Sequence, residues 1–373
     1  MKILVLTPGV FDKGGISRYG RFQISALREA YGPDDVQVIS LLGRRVDDLE
    51  EPFDVAWSGA VPHTLVSRAH FTGVSMQLAL RHQPDIVLLG LVNFGPVAWA
   101  AARASGARLV QNIYGYEVWS SLTLARKQAL YRSDGVISDC HNTADQALQL
   151  GLVKARPEVV WDCVDIERYT PPHGEAEDLS KYGLHPSDRF RVLILCRLNK
   201  RTRYKGFVRL LQLRAEHLDA GFEVVIAGKG DDLDYLRGLS AELGIADSTV
   251  LTGPIDEQDM PAIYRSADAF YLPSEVGEDA GEGIPLTPLE AMACGAPVLV
   301  GDQDGSRETL EGAGGWCGDP LDLAAQARYL RRLKSDRAFY EQERLAARAR
   351  AVDAFGYRAF AHKTCAAMEG FLK

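Results

Sequence analysis

Lys2-Ile3-Leu4-Val5-Leu6-Thr7-Pro8-Gly9-Val10-Phe11-Asp12-Lys13-Gly14-Gly15-Ile16-Ser17 opens the chain with an unbroken apolar run, a glycine-rich turn and the start of a helical pattern. A run that does not alternate in polarity suits a strand covered on both faces, as in a parallel sheet between helix layers. Comparable runs follow at Val36 to Leu41, Ile86 to Leu89, Arg108 to Ile113, Val136 to Ser138 and Val159 to Trp161, with longer helix-like segments between them. Strand and helix in steady alternation predict an α/β, doubly wound sheet for the first half.

A polar stretch from Tyr169-Thr170-Pro171-Pro172-His173-Gly174 through Ser187-Asp188 carries prolines, glycines and acids without an apolar period, the pattern of a linker. Beyond it the alternation restarts at Val192 to Leu195, Glu223 to Ala227, Thr249 to Leu251, Ala269 to Leu272 and Pro297 to Val300. The 373 residues fit about two domains at roughly 150 residues each. The expected organisation is a Rossmann-like first domain over 1–170 and a second over 186–354. A last helix of about 355–373, anchored by Phe355, Tyr357, Phe360 and Phe371, would fold back on the first. Two such lobes facing a central cleft place the candidate site at the C-terminal edges of their sheets.

Composition narrows the partners. With 42 Lys+Arg against 50 Asp+Glu, the net charge of -8 opposes a phosphate-backbone binding mode, so nucleic acid is not an expected partner. Six scattered cysteines form no C-x-x-C pair and no metal-ligand spacing, and read as reduced cytosolic thiols. The opening apolar run is too short for a secretory leader, and no stretch reaches the roughly 18 apolar residues of a spanning helix. The expectation is a cytoplasmic protein. Arg18, Arg21, Arg28, Arg44 and Arg45 raise peripheral contact with the inner face of a membrane as one reading and an ordinary solvated surface as the other.

Three segments carry chemistry. Gly14-Gly15 before a helix would let the backbone approach an anion, although G-x-G-x-x-G is absent and a structural turn needs the same residues. In Glu282-Gly283-Ile284-Pro285-Leu286-Thr287-Pro288-Leu289-Glu290 two carboxylates stand eight positions apart around a helix start, where one can accept hydrogen bonds from sugar hydroxyls and the other lies about two turns deeper; taken alone, the segment equally suits a surface helix with two incidental glutamates. Arg197 to Lys205 holds five basic residues in nine positions after a strand, an arrangement that repels itself unless an anion sits among them, with an ordinary solvated loop as the other reading. Asp232-Leu233-Asp234 looks like a metal motif, but opens a helical segment and reads as dipole partners or caps.

In this order the segments resemble the glycosyltransferase family 4 enzymes of GT-B fold, retaining transferases that use a nucleoside-diphosphate sugar. Glu282 and Glu290 match the E-x7-E motif, Arg197 and Lys205-Gly206 the arginine and lysine-glycine pair, and Gly14-Gly15 the early glycines; Asp162-Cys163-Val164-Asp165 matches the N-G-V-D segment in part. The resemblance implies that Arg197 and Lys205 grip the diphosphate, with Glu282 on the transferred sugar and Glu290 on the ribose. By the same implication the backbone of Gly283, Ile284, Pro285, Leu286 and Thr287 meets phosphates and sugar. Gly228 and Lys229 would lie near the nucleoside, and Thr252, Gly253 and Pro254 under the base. The cationic pair would do the work of a metal, so no metal and no cofactor are expected.

Two departures stand out. Tyr114-Gly115-Tyr116-Glu117 puts tyrosine where many members have histidine, so Tyr114 and Glu117, with His141 after a later strand, are the candidates on the sugar or acceptor side. Arg201 and Arg203 also lengthen the spacing between the two motif cations. The implied activity is transfer from a UDP- or GDP-sugar to a hydroxyl of a glycan, a lipid-linked or a small-molecule acceptor, in surface polysaccharide or glycoconjugate synthesis. A sugar-nucleotide 2-epimerase and a non-catalytic glycan- or nucleotide-binding subunit remain as alternatives.

Overall fold

The computed structural model describes residues 1–45, 53–60, 64–115, 122–174, 177–277 and 281–373, which divide into two compact units, Met1–Cys163 with Tyr357–Lys373 and Val164–Gly356. The first holds β1 (Ile3–Thr7), β2 (Val36–Ser40), β3 (Trp57–Ser58), β4 (Ile86–Leu89), β5 (Arg108–Ile113), β6 (Gly135–Ser138) and β7 (Glu158–Val159). They form one parallel sheet in the order β3-β2-β1-β4-β5-β6-β7. Between strands run α1 (Gly15–Tyr31), α2 (Leu65–His82), α3 (Gly95–Ser105), α4 (Leu124–Tyr131) and α5 (His141–Gln149).

The continuous apolar runs serve two layers at once. Ile3 and Val5 join Val36, Val38, Ile86 and Leu88 in a core closed by Tyr19, Ile24 and Leu27 of α1. Leu4 and Leu6 face the other way, with Ile39, Val87 and Leu89, against Phe71 of α2 and Ala98, Ala101 and Ala102 of α3. This is the alternation of a pleat whose two sides are both apolar.

The second unit repeats the scheme with β8 (Phe190–Leu195), β9 (Phe222–Ala227), β10 (Thr249–Gly253), β11 (Ala269–Leu272), β12 (Val298–Gly301) and β13 (Gly315–Gly318), all parallel in the order β10-β9-β8-β11-β12-β13. Its helices are α6 (Phe207–His217), α7 (Leu233–Glu242), α8 (Met260–Arg265), α9 (Leu286–Ala293), α10 (Leu323–Ser335) and α11 (Arg337–Phe355). The short strands β3 and β13 had no apolar run to announce them. Among the described residues no helix is long and apolar enough to cross a membrane.

The last helix, α12 (Tyr357–Leu372), belongs to the first unit: Phe360 stands edge-on to Tyr19 at 5.1 Å and Met368 is fully buried in the same core. Burying two such side chains contributes about 1.5–3 kcal/mol each. The expected linker differs from the structure. Residues 164–174 and 177–189 are part of the second unit, because Val164 N–H donates to Phe355 O (2.9 Å), Arg348 bonds the carbonyls of Tyr169 (2.8 Å) and Ile166 (3.2 Å), and Tyr182 donates to Asp259 (2.6 Å). Their polarity reflects a surface docked by side-chain hydrogen bonds.

The turn after β9 shows how tightly the second sheet's C-terminal edge is built. Leu198 N–H donates to Lys229 O (3.0 Å), Asp232 N–H to Leu198 O (3.0 Å) and Gly228 N–H to Gly253 O (2.9 Å). A Cβ on Gly228, whose φ is +139°, would fall 1.8 Å from Cys196 O, whereas one on Gly253, at φ +70°, would meet open space. Gly228→Ala should therefore destabilise the protein by roughly 2 kcal/mol, and Gly253→Ala by about 1 kcal/mol for its left-handed backbone alone. Urea unfolding checks this, and equal losses at both sites contradict the backbone-contact argument.

Candidate active site at the switch point of the second sheet

Strand order in the second sheet reverses between β8 and β11, and at such a point the following loops part to opposite faces and leave a crevice. The loop after β8 and the loop after β11 carry the two motifs singled out above. After β8 the chain turns at Asn199, whose carboxamide accepts from Arg201 N–H (3.1 Å), while the Thr202 hydroxyl accepts from Asn199 N–H (3.2 Å) and donates to Arg197 O (2.7 Å). This reciprocal cap starts a 3-10 turn over Lys200–Lys205, closed by Gly206 at φ +97° before α6.

The turn delivers Tyr204 and Lys205 to Glu282. Lys205 Nζ forms an ion pair with Glu282 Oε1, and Tyr204 OH donates to the same oxygen at 2.8 Å. Lys205 and Glu282 are 13% and 16% exposed, so the pair is largely screened from water, and removing one partner leaves the other charged and under-solvated. Burial, and next the charge of Glu282, pushes the Tyr204 hydroxyl above its ordinary value, so it stays a donor. Arg209 fastens the two loops together by donating to Tyr204 O (3.0 Å) and Pro273 O (2.5 Å), and Glu275 N–H donates to Tyr204 O (2.9 Å).

Glu282 is held through its backbone as well. Its N–H donates to Asp304 Oδ2 (2.8 Å) and its carbonyl accepts from Gly305 N–H (3.2 Å). Asp304 is 2% exposed, and burial pushes its carboxyl up to about 6 despite the N–H groups that favour the charged form. Gly283, Ile284 and Pro285 lead into α9, whose first turn at Leu286 and Thr287 has no side-chain cap. Its unpaired N–H groups and positive dipole end suit an anion. Glu290 lies inside α9, 2% exposed, and accepts from Tyr264 OH (2.6 Å).

The cations separate into two sets. Arg197, Arg201 and Lys229 are exposed and make no ion pair among the described residues. Arg203 is committed to Asp232 through bonds of 2.7 and 2.9 Å, and its guanidinium stands 4.0 Å from the ring centroid of Tyr235. The expected cap role of Asp232 is corrected accordingly: it occupies the N-cap of α7 but makes no side-chain cap, because its carboxylate is taken by Arg203. Burial pushes the Cys196 thiol up to about 12, leaving it neutral beside these charges. Among the described residues no group of three or more His, Cys, Asp or Glu is placed to hold a metal ion.

The remaining candidates have structural partners. Gly228 and Lys229 form the turn after β9; Thr252 and Gly253 end β10, with Pro254 just beyond it, and the Thr252 hydroxyl donates to Gly253 O (2.8 Å). In the first unit, Gly14 N–H donates to Asp12 Oδ1 (2.8 Å), Gly15 begins α1, and Ser17 Oγ donates to Gly9 O (3.0 Å). Tyr114, after β5, packs edge-on to Tyr19 at 5.2 Å, and Glu117 lies outside the described residues. His141 opens α5, with its ring 2.9 Å from Arg156 and edge-on to Trp161 at 5.7 Å. Asp165, in the partial N-G-V-D match, accepts from Glu167 N–H (3.1 Å) and Arg168 N–H (3.0 Å) as a turn cap.

Sequence reading missed Tyr204, Asp304 and the cap of Asn199 and Thr202. The spacing Asn199-x-x-Thr202 was a legible capping signal, whereas nothing local marks Asp304, which meets Glu282 across 22 positions. The division of cations gives a contrast: Arg203→Gln should lower stability by about 1 kcal/mol, whereas Arg197→Gln should leave stability intact. Thermal unfolding of both variants checks the assignment.

Residues 175–352 match the family described as "Glycosyl transferases group 1". The chain is similar to a GDP-mannose-dependent alpha-(1-6)-phosphatidylinositol monomannoside mannosyltransferase of Mycolicibacterium smegmatis, 34% identical over 246 residues, which are 63% of this chain and 62% of that protein. The Mycobacterium tuberculosis protein of the same description is 31% identical over 67% of this chain and 66% of its own length. The match thus spans less than two thirds of either relative. Among solved structures, Anabaena HepE in complex with UDP superposes with a TM-score of 0.75 at 18% identity, over 99% of this chain and 100% of that one. The second unit therefore carries a match to the group 1 glycosyl transferases, and the two Rossmann-like sheets give the chain the GT-B fold.

Proposed function

We propose that the protein is a retaining glycosyltransferase of family 4 that moves a sugar from a nucleoside-diphosphate donor to an acceptor hydroxyl. The observation that carries the proposal is the ion pair of Lys205 and Glu282 at the β8/β11 switch point, in loops that also carry exposed Arg197 and lead to the uncapped start of α9. In this state Glu282 neutralises Lys205. A bound diphosphate would take over that charge, with Arg197 and the α9 N–H groups as further donors, and would leave the Glu282 carboxylate to accept hydrogen bonds from the sugar.

The bond from the anomeric carbon to the diphosphate oxygen breaks first, and its electrons remain on the phosphate. Arg197 and Lys205 stabilise that developing charge, in the role other enzymes give to a metal ion. The acceptor oxygen then bonds to the anomeric carbon from the same face, and its proton passes to a leaving phosphate oxygen. The GDP-mannose dependence of the mycobacterial relatives supports a GDP-mannose donor, while the Anabaena neighbour was solved with UDP. A lipid-bearing acceptor, of the kind named for those relatives, would find exposed apolar side chains at Leu65 and Val66 of α2 and Leu124 of α4. That reading places the protein in the cytoplasm, in peripheral contact with the inner face of a membrane.

A thermal-shift panel of UDP, GDP, ADP and their sugar conjugates identifies the donor, since ligand binding raises stability by RT ln(1+[L]/Kd). With that donor, Arg197→Ala should lower kcat by about 10²-fold, the product should keep the donor's anomeric configuration, and EDTA should leave turnover unchanged. Near-normal turnover by folded Arg197→Ala protein, or strict dependence on Mg²⁺ or Mn²⁺, defeats the charge-compensation step. Conversion of the donor to an epimer without acceptor consumption identifies an epimerase instead.

A further inference from the structure

We infer that Asp304 is a positioning residue of this site, a buried clamp that fixes the backbone of Glu282 so that its carboxylate meets Tyr204 and Lys205. The inference rests on the reading of Glu282 as the residue that holds the transferred sugar. Asp304 also begins the 3-10 turn Gly305–Thr309, where its Oδ1 accepts from Ser306 N–H at 2.9 Å. An asparagine or serine would serve that cap equally well. What the cap does not account for is the second oxygen, which accepts from Glu282 N–H at 2.8 Å, while Gly305 N–H returns a bond to Glu282 O at 3.2 Å.

Both peptide groups of Glu282 are thus tied to residues 304 and 305. The tie matters because Glu282 lies between Gly281, at φ +150°, and Gly283, so the local chain supplies little stiffness of its own. It also accounts for the choice of residue. Only an ionised carboxylate presents acceptors on both oxygens; an asparagine would turn an amide NH₂ toward one of the two N–H donors. Asp304 is 2% exposed and makes no ion pair among the described residues, a costly state that a cap alone would not justify.

The titratable groups facing Asp304 are Glu282 on its loop, Tyr204 on the 3-10 turn and Cys317 on β13. Burial first, then the Glu282 charge, brings the Asp304 carboxyl up to about 6. Protonation converts one acceptor into an O–H donor and leaves one of the two N–H groups unmatched. The clamp is therefore complete above that pH and incomplete below it, giving kcat an acid-side inflection.

The test compares Asp304→Asn, Glu282→Gln and the double variant with the wild-type protein, reading melting temperature, kcat and donor KM from pH 5 to 8, and affinities for the nucleotide and its sugar conjugate. Asp304→Asn should lower kcat by roughly tenfold to a hundredfold and abolish the inflection near 6. Added to Glu282→Gln it should change kcat by less than about twofold, since both act through one group. In binding it should weaken the sugar conjugate about tenfold while leaving the bare nucleotide unchanged. Wild-type kcat and inflection in Asp304→Asn, an equal loss on both backgrounds, or a lower melting temperature with unchanged kcat overturns the clamp. A wild-type protein without turnover that still shows the binding split rejects the transferase reading and keeps the clamp.

Discussion

Everything proposed for this protein turns on one contact: an ammonium group and a carboxylate, both mostly withdrawn from water, meeting where the strand order of the second sheet reverses. Such a pair is a poor source of stability, because desolvating both charges offsets most of their attraction. Its value lies in what it holds ready. Tyr204 shares the same carboxylate oxygen and Arg209 binds the two loops to each other, so the charges meet at fixed positions. On the proposed reading, a ligand bearing its own negative charge and hydroxyl groups would replace each partner at these positions.

The surrounding backbone explains why the loops keep this geometry. Gly228 and Gly230 admit the carbonyls of Cys196 and Leu198 so closely that a Cβ at either position would stand 1.8 or 1.7 Å from oxygen. The turn after β9 therefore backs the turn that carries Arg197. Glycine here serves close backbone approach, and the exposed Lys229 between the two glycines is presented by a segment that has little room to shift.

Much of the architecture could be read from the chain because buried parallel strands need apolar residues on both faces, and Ile3 to Leu6 or Phe222 to Ala227 supply them. The strands β3 and β13 were not legible because neither carries an apolar run: β3 is Trp57 and Ser58, and β13 contains two glycines among its four residues. The domain boundary was misplaced because polarity marks exposure without saying what a segment docks on; Arg348 holds residues 166 and 169 through carbonyls that composition cannot reveal. Within the second unit, the family resemblance named Arg197, Lys205 and Glu282. The cluster of basic residues alone could not show that Arg203 is occupied, since its partner Asp232 is 29 positions away. Gly14 and Gly15 were legible as a turn, and the structure shows that turn closed by Asp12 and Ser17.

The return of α12 to the first unit has a consequence for how the protein is made. Tyr19, Ile24 and Leu27 complete their core with Phe360 and Met368, which a ribosome adds after the entire second unit. The N-terminal unit must therefore emerge with an apolar face uncovered and wait while residues 164–356 are translated, during which that face is open to aggregation or to chaperones. For the same reason a fragment ending at residue 163 would lack a wall of its own interior, so nascent-chain experiments should treat the two units as unequal: one finishes from a continuous stretch, the other only once α12 has been added.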